Sequence, residues 1–449
     1  MQWNAIPCSG VDLLGSTTVK ISNDVFILGG VAVGPSNNNH LSIRCFDLSI
    51  AELKPVVVNT CGVANRAYHT ASSTATKTIL FGGELSDGSV TSEVVSCSLG
   101  DDGFVSRVVR KDGPPRKGMV GGVVGPHTSL TVLFGGSNGH NYFSDIVLVR
   151  GDACDPTSTF EYINLEGEKP SPRAFCSVSV CGEHKQYLVI TGGFDGKEIF
   201  DDIWILDVTK SIRELNKSDV DAAPAGGKAA ATKPGKGAPT VEEPAKWTRF
   251  SSVLPKPCFW HSSFSSKVGH EGIFSVNIVG GLSKLGALPL APMEIKLSLP
   301  SSGAVANAMG PVSISAEGAL ECNGWVRYGC STLAISDNNG EAALALCFGG
   351  VSGRDSIAGG TNSLFAAISS SSALVSGMTA TVARRQAEEN KRQRALAGLS
   401  ENADTEEKDN RVEFTAPNGD QYYGEVLPEN NVPHGEGKMN FSDGSTYTV

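Results

Sequence analysis

The chain has 449 residues, a length that suits two or three domains. Its 37 Lys+Arg against 47 Asp+Glu leave a net charge of −10, which argues against a nucleic-acid binder that works by neutralising phosphates. A 40 % share of aliphatic, aromatic and Cys residues is too high for a disordered chain. The 52 glycines, about 12 % against a typical ~7 %, point to many tight turns between short strands.

Met1–Gly10 holds no Lys or Arg, so no export signal is read there, and no run of ~18 apolar residues predicts a membrane span. The 11 cysteines form no C-x-x-C pair. Cys45, Cys97, Cys181 and Cys347 lie in apolar, strand-like runs and read as reduced core thiols, which predicts a cytoplasmic protein. The eight histidines are scattered without ligand spacing, so neither a metal nor another cofactor is expected.

In chain order, Met1-Gln2-Trp3-Asn4-Ala5-Ile6-Pro7 comes first and reads as a lone strand. A repeat follows. Six short apolar runs end in a glycine pair: FILGG at Gly29-Gly30, ILFGG at Gly82-Gly83, VLFGG at Gly135-Gly136, VITGG at Gly192-Gly193, NIVGG at Gly280-Gly281 and LCFGG at Gly349-Gly350. Successive pairs lie 53, 53, 57, 88 and 69 residues apart. Each is followed by a second apolar run, such as SDIVLVR or DDIWILDV. Most are preceded by a polar or aromatic signal: Arg66-Ala67-Tyr68-His69, Pro115-Arg116, Pro172-Arg173, Trp260-His261 and Trp325-Val326-Arg327-Tyr328. Near-continuous apolar runs are what strands buried on both faces require.

This pattern resembles the kelch repeat. The resemblance implies an all-β fold, a six-bladed β-propeller over residues 1–370 with one four-stranded antiparallel sheet per blade. The Trp expected in each third strand appears only at Trp204, and the expected Tyr is patchy, so the chain departs from the family pattern most in blades one, five and six. The last repeat stops after its third strand, and the N-terminal segment is expected to supply the fourth, removing an open edge. The 88-residue spacing holds an Ala-, Gly-, Pro- and Lys-rich insertion over 211–244, expected to be disordered, after which Trp247 restarts the blade. The 69-residue spacing holds a Ser-, Gly- and Ala-rich loop over 300–318.

Residues 371–411 change character. Ala, Arg, Gln, Glu and Lys prevail over 376–400, which predicts a charged, mostly solvated helix in a linker. In 412–449, Tyr423-Gly424-Glu425, His434-Gly435-Glu436-Gly437 and Asp443-Gly444-Ser445-Thr446-Tyr447 resemble a MORN repeat. That resemblance implies a β-hairpin element able to stack on a neighbouring sheet, with Tyr422, Tyr423, His434, Phe441 and Tyr447 as its partner-binding positions.

No paired carboxylates, nucleophile elbow, phosphate loop, sialidase box or copper-radical arrangement of Tyr, His and Cys is read, so no catalysis is expected. The expected site is one propeller face, where Arg66, Tyr68, Arg116, Arg173, Trp260, His261 and Arg327 recur at blade spacing. Converging guanidiniums would take an acidic peptide through paired hydrogen bonds, with Tyr68 and Trp260 as flat anchors. The structural alternative is that each Arg holds backbone carbonyls between blades. By analogy with proteins that combine such modules, the chain reads as an interaction scaffold with protein partners in a larger complex, without nucleic acid. A cytoskeletal or ciliary/flagellar axonemal assembly of the radial-spoke kind is expected. The alternatives are a substrate-recognition subunit of a protein-modification or ubiquitin-ligase complex, and an enzyme of the propeller type.

Overall fold

A computed structural model describes residues 3–7, 13–22, 24–32, 39–48, 52–59, 62–74, 76–125, 130–214, 245–268, 272–288, 293–299, 310–315, 327–336, 342–351, 363–368, 384, 387, 411–415, 421–426, 433–440 and 446–448. It divides into two compact units, Met1–Ala383 and Arg384–Val449.

In the first unit, four strands in up-and-down order recur, antiparallel throughout. Blade one takes Thr17–Ile21, Asp24–Leu28, Ile43–Asp47 and Glu52–Lys54. Blade two takes Thr70–Ser73, Lys77–Phe81, Val94–Gly100 and Gly103–Arg110, with Val58–Asn59 added in parallel at its outer edge. Blade three takes Val120–Val124, Leu130–Phe134, Ile146–Arg150 and Phe160–Ile163. Blade four takes Ser177–Cys181, Tyr187–Thr191, Ile203–Asp207 and Lys246–Arg249. Blade five takes Ser262–Lys267, Ile273–Val279, Met293–Ser298 and Gly310–Ser315.

Six blades are expected from the repeat, and five are built wholly from contiguous chain. The last repeat supplies only Tyr328–Ser336, Ala342–Val351 and Ser363–Ile368. Its fourth strand is Trp3–Pro7, from the other end of the unit, paired antiparallel with Ser363–Ile368. This sheet is composite, unlike the other five.

The second strand of each blade is mostly apolar because both its faces are covered. In blade one, Val25 and Ile27 pack with Phe46 of the same blade and with Leu344, Leu346 and Phe348 of the composite sheet, while Phe26 and Leu28 pack with Leu80, Val95 and Phe104 of blade two. The same alternation joins blades three and four through Phe134, Leu148, Ile190, Trp204 and Trp247. It joins blades four and five through Ile203, Ile205, Val276 and Ile295. A single β-sheet cannot bury both faces by itself, so each blade depends on its neighbours.

Cys45, Cys97, Cys181 and Cys347 are buried free thiols in this core. Burial pushes the Cys181 thiol up to about 12, with a Ser265 hydrogen bond opposing it, so it stays protonated.

Three expectations change in detail. The insertion after blade four begins with a helical turn over 209–214 that buries Ser211 and Ile212, and 215–244 lies outside the described residues. The 300–318 loop contains the fourth strand of blade five, Gly310–Ser315. Of the expected helix over 376–400, Arg384 and Ala387 are described and both are helical.

The second unit contains one sheet in which Arg411–Thr415, Gln421–Val426, Pro433–Asn440 and Thr446–Thr448 pair in sequence order, antiparallel.

Candidate functional site

The glycine pairs set the geometry at one end of the propeller. Both glycines of each pair have positive φ, such as Gly82 at 64° and Gly83 at 99°. The second glycine's N–H donates to the next repeat: Gly30 to the Arg66 carbonyl at 2.8 Å, Gly83 to Arg116 at 2.9 Å, Gly136 to Arg173 at 2.8 Å, Gly193 to Cys258 at 2.9 Å, Gly281 to Arg327 at 2.7 Å. The first glycine lies against that same carbonyl. A Cβ on Gly82 would come within 2.3 Å of the Arg116 oxygen, and one on Gly280 within 2.4 Å of the Arg327 oxygen. Only glycine meets both requirements.

The guanidiniums of three of these arginines turn inward. Arg66 donates to Glu93 at 2.7 Å and to the Gly82 carbonyl at 3.4 Å. Arg116 holds Asp145 in two bonds of 2.7 and 2.8 Å, bonds the Gly135 carbonyl at 3.0 Å and lies 4.0 Å over the Phe143 ring. Arg173 repeats this with both oxygens of Asp202, the Gly192 carbonyl at 3.0 Å and the Phe200 ring. Burial alone would raise the Asp202 carboxyl. The bonds from Arg173 and from Trp204 Nε1 at 2.8 Å hold it below the ordinary carboxylate range instead.

The arginine ring expected to face an acidic partner is therefore corrected. The Arg66 and Arg173 side chains are 0 % exposed, Arg116 and Arg327 are buried, and the first three are bonded within their own repeats. A desolvated guanidinium needs a partner, and Glu93, Asp145 and Asp202 supply it 27 to 29 residues downstream. Sequence reasoning missed these acids. Their signal is an acid immediately before the third-strand run, in SEVV, SDIV and DDIW.

Two residues after each arginine position comes a second ring. Gly15, Tyr68, Gly118, Phe175, Trp260 and Gly329 all have φ between 53° and 68°. Each N–H donates to the preceding member's carbonyl at 2.8 or 2.9 Å, and Gly15 closes the circle on Gly329 at 3.2 Å. At two places a glycine precedes an aromatic residue for a steric reason. The Tyr68 ring fills the space where Gly15 would carry a Cβ, 2.6 Å away, and the Phe175 ring does the same at Gly118. The three aromatic rings meet, with Tyr68 and Phe175 5.5 Å apart, Phe175 and Trp260 5.4 Å, and Tyr68 stacked on Trp260 at 5.8 Å. Tyr328 stacks on Trp260 at 5.8 Å as well. Together they plug the channel mouth, leaving a recess of about 120 Å³ lined also by His69, Met119, Cys176, His261 and Cys330.

Trp260 thus matches Tyr68, and Cys258 holds the arginine position of blade five. Phe175, which completes the plug, carried no sequence signal beyond its place two residues after Arg173. His261 is a packing residue. It is buried, with Nε2 3.1 Å from Thr191 Oγ1, and burial lowers its pKa to about 4. His69 is buried the same way. Burial, with the Arg66 charge adding to it, lowers its pKa to about 3. Tyr68 and Trp260 remain half-buried at the mouth.

In the second unit, Tyr422, Tyr423, His434 and Tyr447 all lie in paired strands, while Phe441 lies outside the described residues. Tyr422 stands in register with Phe414 and Met439, and Met439 with Tyr447. Tyr423, opposite Lys438, is 50 % exposed.

Apolar blades ringed around a plugged axis define a β-propeller. Residues 15–236, just under half of the chain, match a family model described as the KLHDC2/KLHL20/DRC7 Kelch-repeats domain, which supports a kelch-type β-propeller. Among curated proteins none matches the chain. A kelch propeller fits a protein-interaction scaffold. No helix among the described residues is long and apolar enough to cross a membrane.

Proposed function

We propose that this protein is a non-catalytic scaffold with two partner-binding ends, a subunit of a cytoskeletal or ciliary/flagellar axonemal assembly of the radial-spoke kind. One partner sits on the propeller face around Tyr68 and Trp260. The other engages the C-terminal sheet, read here as a MORN element. The observation that carries the proposal is the pairing of a kelch propeller with a separate small sheet in one chain. In that sheet Gly424 and Gly437, from the Tyr-Gly-Glu and Gly-Glu-Gly segments, face each other across two strands. A sheet this small gains stability from a neighbouring sheet, which favours a partner that supplies one.

The test is purification of the tagged protein from its native cells under mild conditions, with identification of stoichiometric partners by mass spectrometry. Cytoskeletal or axonemal proteins are expected, and a chain ending at Ser400 should lose a subset of them. Recovery of ubiquitin-ligase or other modifying subunits instead would replace this reading with that of a substrate-recognition subunit.

A further inference from the structure

Beside the plug, on the same face, lies a groove of about 410 Å³ next to two short two-stranded ladders. One pairs Leu13–Leu14 with Val31–Ala32, across the first two strands of blade one. The other pairs Arg66–Ala67 with Glu84–Leu85, across the first two strands of blade two. Tyr68 also lines the groove, and its ring covers Gly15.

The polar groups in its floor are occupied. Asn65 accepts from the Ser42 N–H and donates to the Gly30 carbonyl, and Arg66 is bonded to Glu93. Of the two charged residues that line it, Arg66 has no exposed side-chain surface and Glu84 does. Glu84 Oε2 accepts from Lys117 Nζ at 2.8 Å, while Oε1 accepts no hydrogen bond among the described residues. Burial first, and then the Glu84 charge, push the Tyr68 hydroxyl up to about 12, so it stays protonated and its ring faces the groove uncharged. Polar and apolar groups share the walls about equally. Val31 is 51 % exposed and Leu85 half-buried.

We infer that this groove takes a basic peptide segment of a protein partner, with an Arg or Lys side chain between Glu84 Oε1 and the Tyr68 ring and an aliphatic neighbour against Val31 and Leu85. A carboxylate and an aromatic ring attract the same cation, and the volume suits one long side chain with its flanking residue. An acidic or phosphorylated segment would face Glu84 and is disfavoured. The inference rests on the scaffold reading and names the chemistry of one partner.

The test uses the full-length protein and three fluorescein-labelled pentapeptides, Gly-Leu-Arg-Leu-Gly and its Gln and Glu counterparts, measured by anisotropy at low salt. The Arg peptide should bind and the other two should bind at least about tenfold more weakly. Glu84→Gln and Val31→Ser should each weaken Arg-peptide binding severalfold, while Lys117→Met, which frees both Glu84 oxygens, should strengthen it. Thermal melts confirm that each variant is folded. Equal binding of the Arg and Glu peptides, no binding of any, or weakened binding by Lys117→Met would overturn the inference. Native partners that still co-purify with the folded Glu84→Gln protein would leave the scaffold reading standing while removing the groove from it.

Discussion

Blades two, three and four carry an arginine two residues before the axial ring, at Arg66, Arg116 and Arg173. Blades one and five carry Leu13 and Cys258 there. The backbone link does not change with the side chain. Gly193 donates to the Cys258 carbonyl at 2.9 Å, as Gly136 donates to Arg173 at 2.8 Å. What holds neighbouring blades at this end is therefore main chain meeting main chain across a glycine. The buried ion pair is added in some blades and replaced by apolar packing in others, as expected where a satisfied buried pair and a well-packed hydrophobe are close in free energy.

Breaking the common link should cost most. Gly82→Ala puts a Cβ within 2.3 Å of the Arg116 carbonyl at a φ of 64°, so a loss of more than about 4 kcal/mol is expected, read as lost soluble yield or a collapsed melting temperature. Gly139→Ala is the control. It shares the left-handed φ, at 94°, but has nothing within 4 Å, and about 1 kcal/mol is expected.

Breaking the added ion pair comes next. Arg173→Ala leaves Asp202 buried without its cation, at an expected cost of about 3–5 kcal/mol in urea unfolding. The partner acids are 11 %, 19 % and 22 % exposed for Arg173, Arg116 and Arg66, so the cost should fall in that order. The double change Arg173→Met with Asp202→Leu should recover most of the loss, because blades one and five already do without the pair.

The histidines give a smaller, pH-dependent effect. His69 and His261 have folded pKa values of about 3 and about 4, below the ordinary 6.5. The unfolded chain therefore takes up protons first. Stability is complete above about pH 6.5 and declines as pH falls through about 4 and then about 3, by roughly 1 kcal/mol per pH unit for each histidine. His261→Gln should flatten the acid limb of a plot of melting temperature against pH, and an unchanged limb would contradict the assignment.

The smallest effect is expected at Leu285, fully exposed at a hairpin tip, where Leu285→Ser should change stability by less than about 0.5 kcal/mol.

The blades could be read from the sequence because each must spend a glycine pair at a fixed place, and Gly82-Gly83 or Gly192-Gly193 at the end of a mostly apolar run is hard to mistake. The fourth strand of blade five was hidden. Gly310–Ser315 has a composition like its surroundings, and only pairing with Met293–Ser298 sets it apart. The fate of the arginines was hidden for another reason. Arg173 and Asp202 are 29 residues apart, and nothing local shows that the start of a third strand returns to the turn before the first. The aromatic plug needed both insights at once, since Phe175 fits only because Gly118 leaves room.

The composite sheet also has a consequence in time. Trp3–Pro7 is synthesised long before its pairing partner Ser363–Ile368, which is among the last parts of the unit to be made. At about 5–20 residues per second, the wait is roughly 20–70 s. Blades one to five can stack as they emerge from the ribosome, while the first few residues remain an unspent strand. The ring can therefore close only once residue 368 has emerged, and until then the nascent chain carries open edges that a chaperone or a second chain can reach.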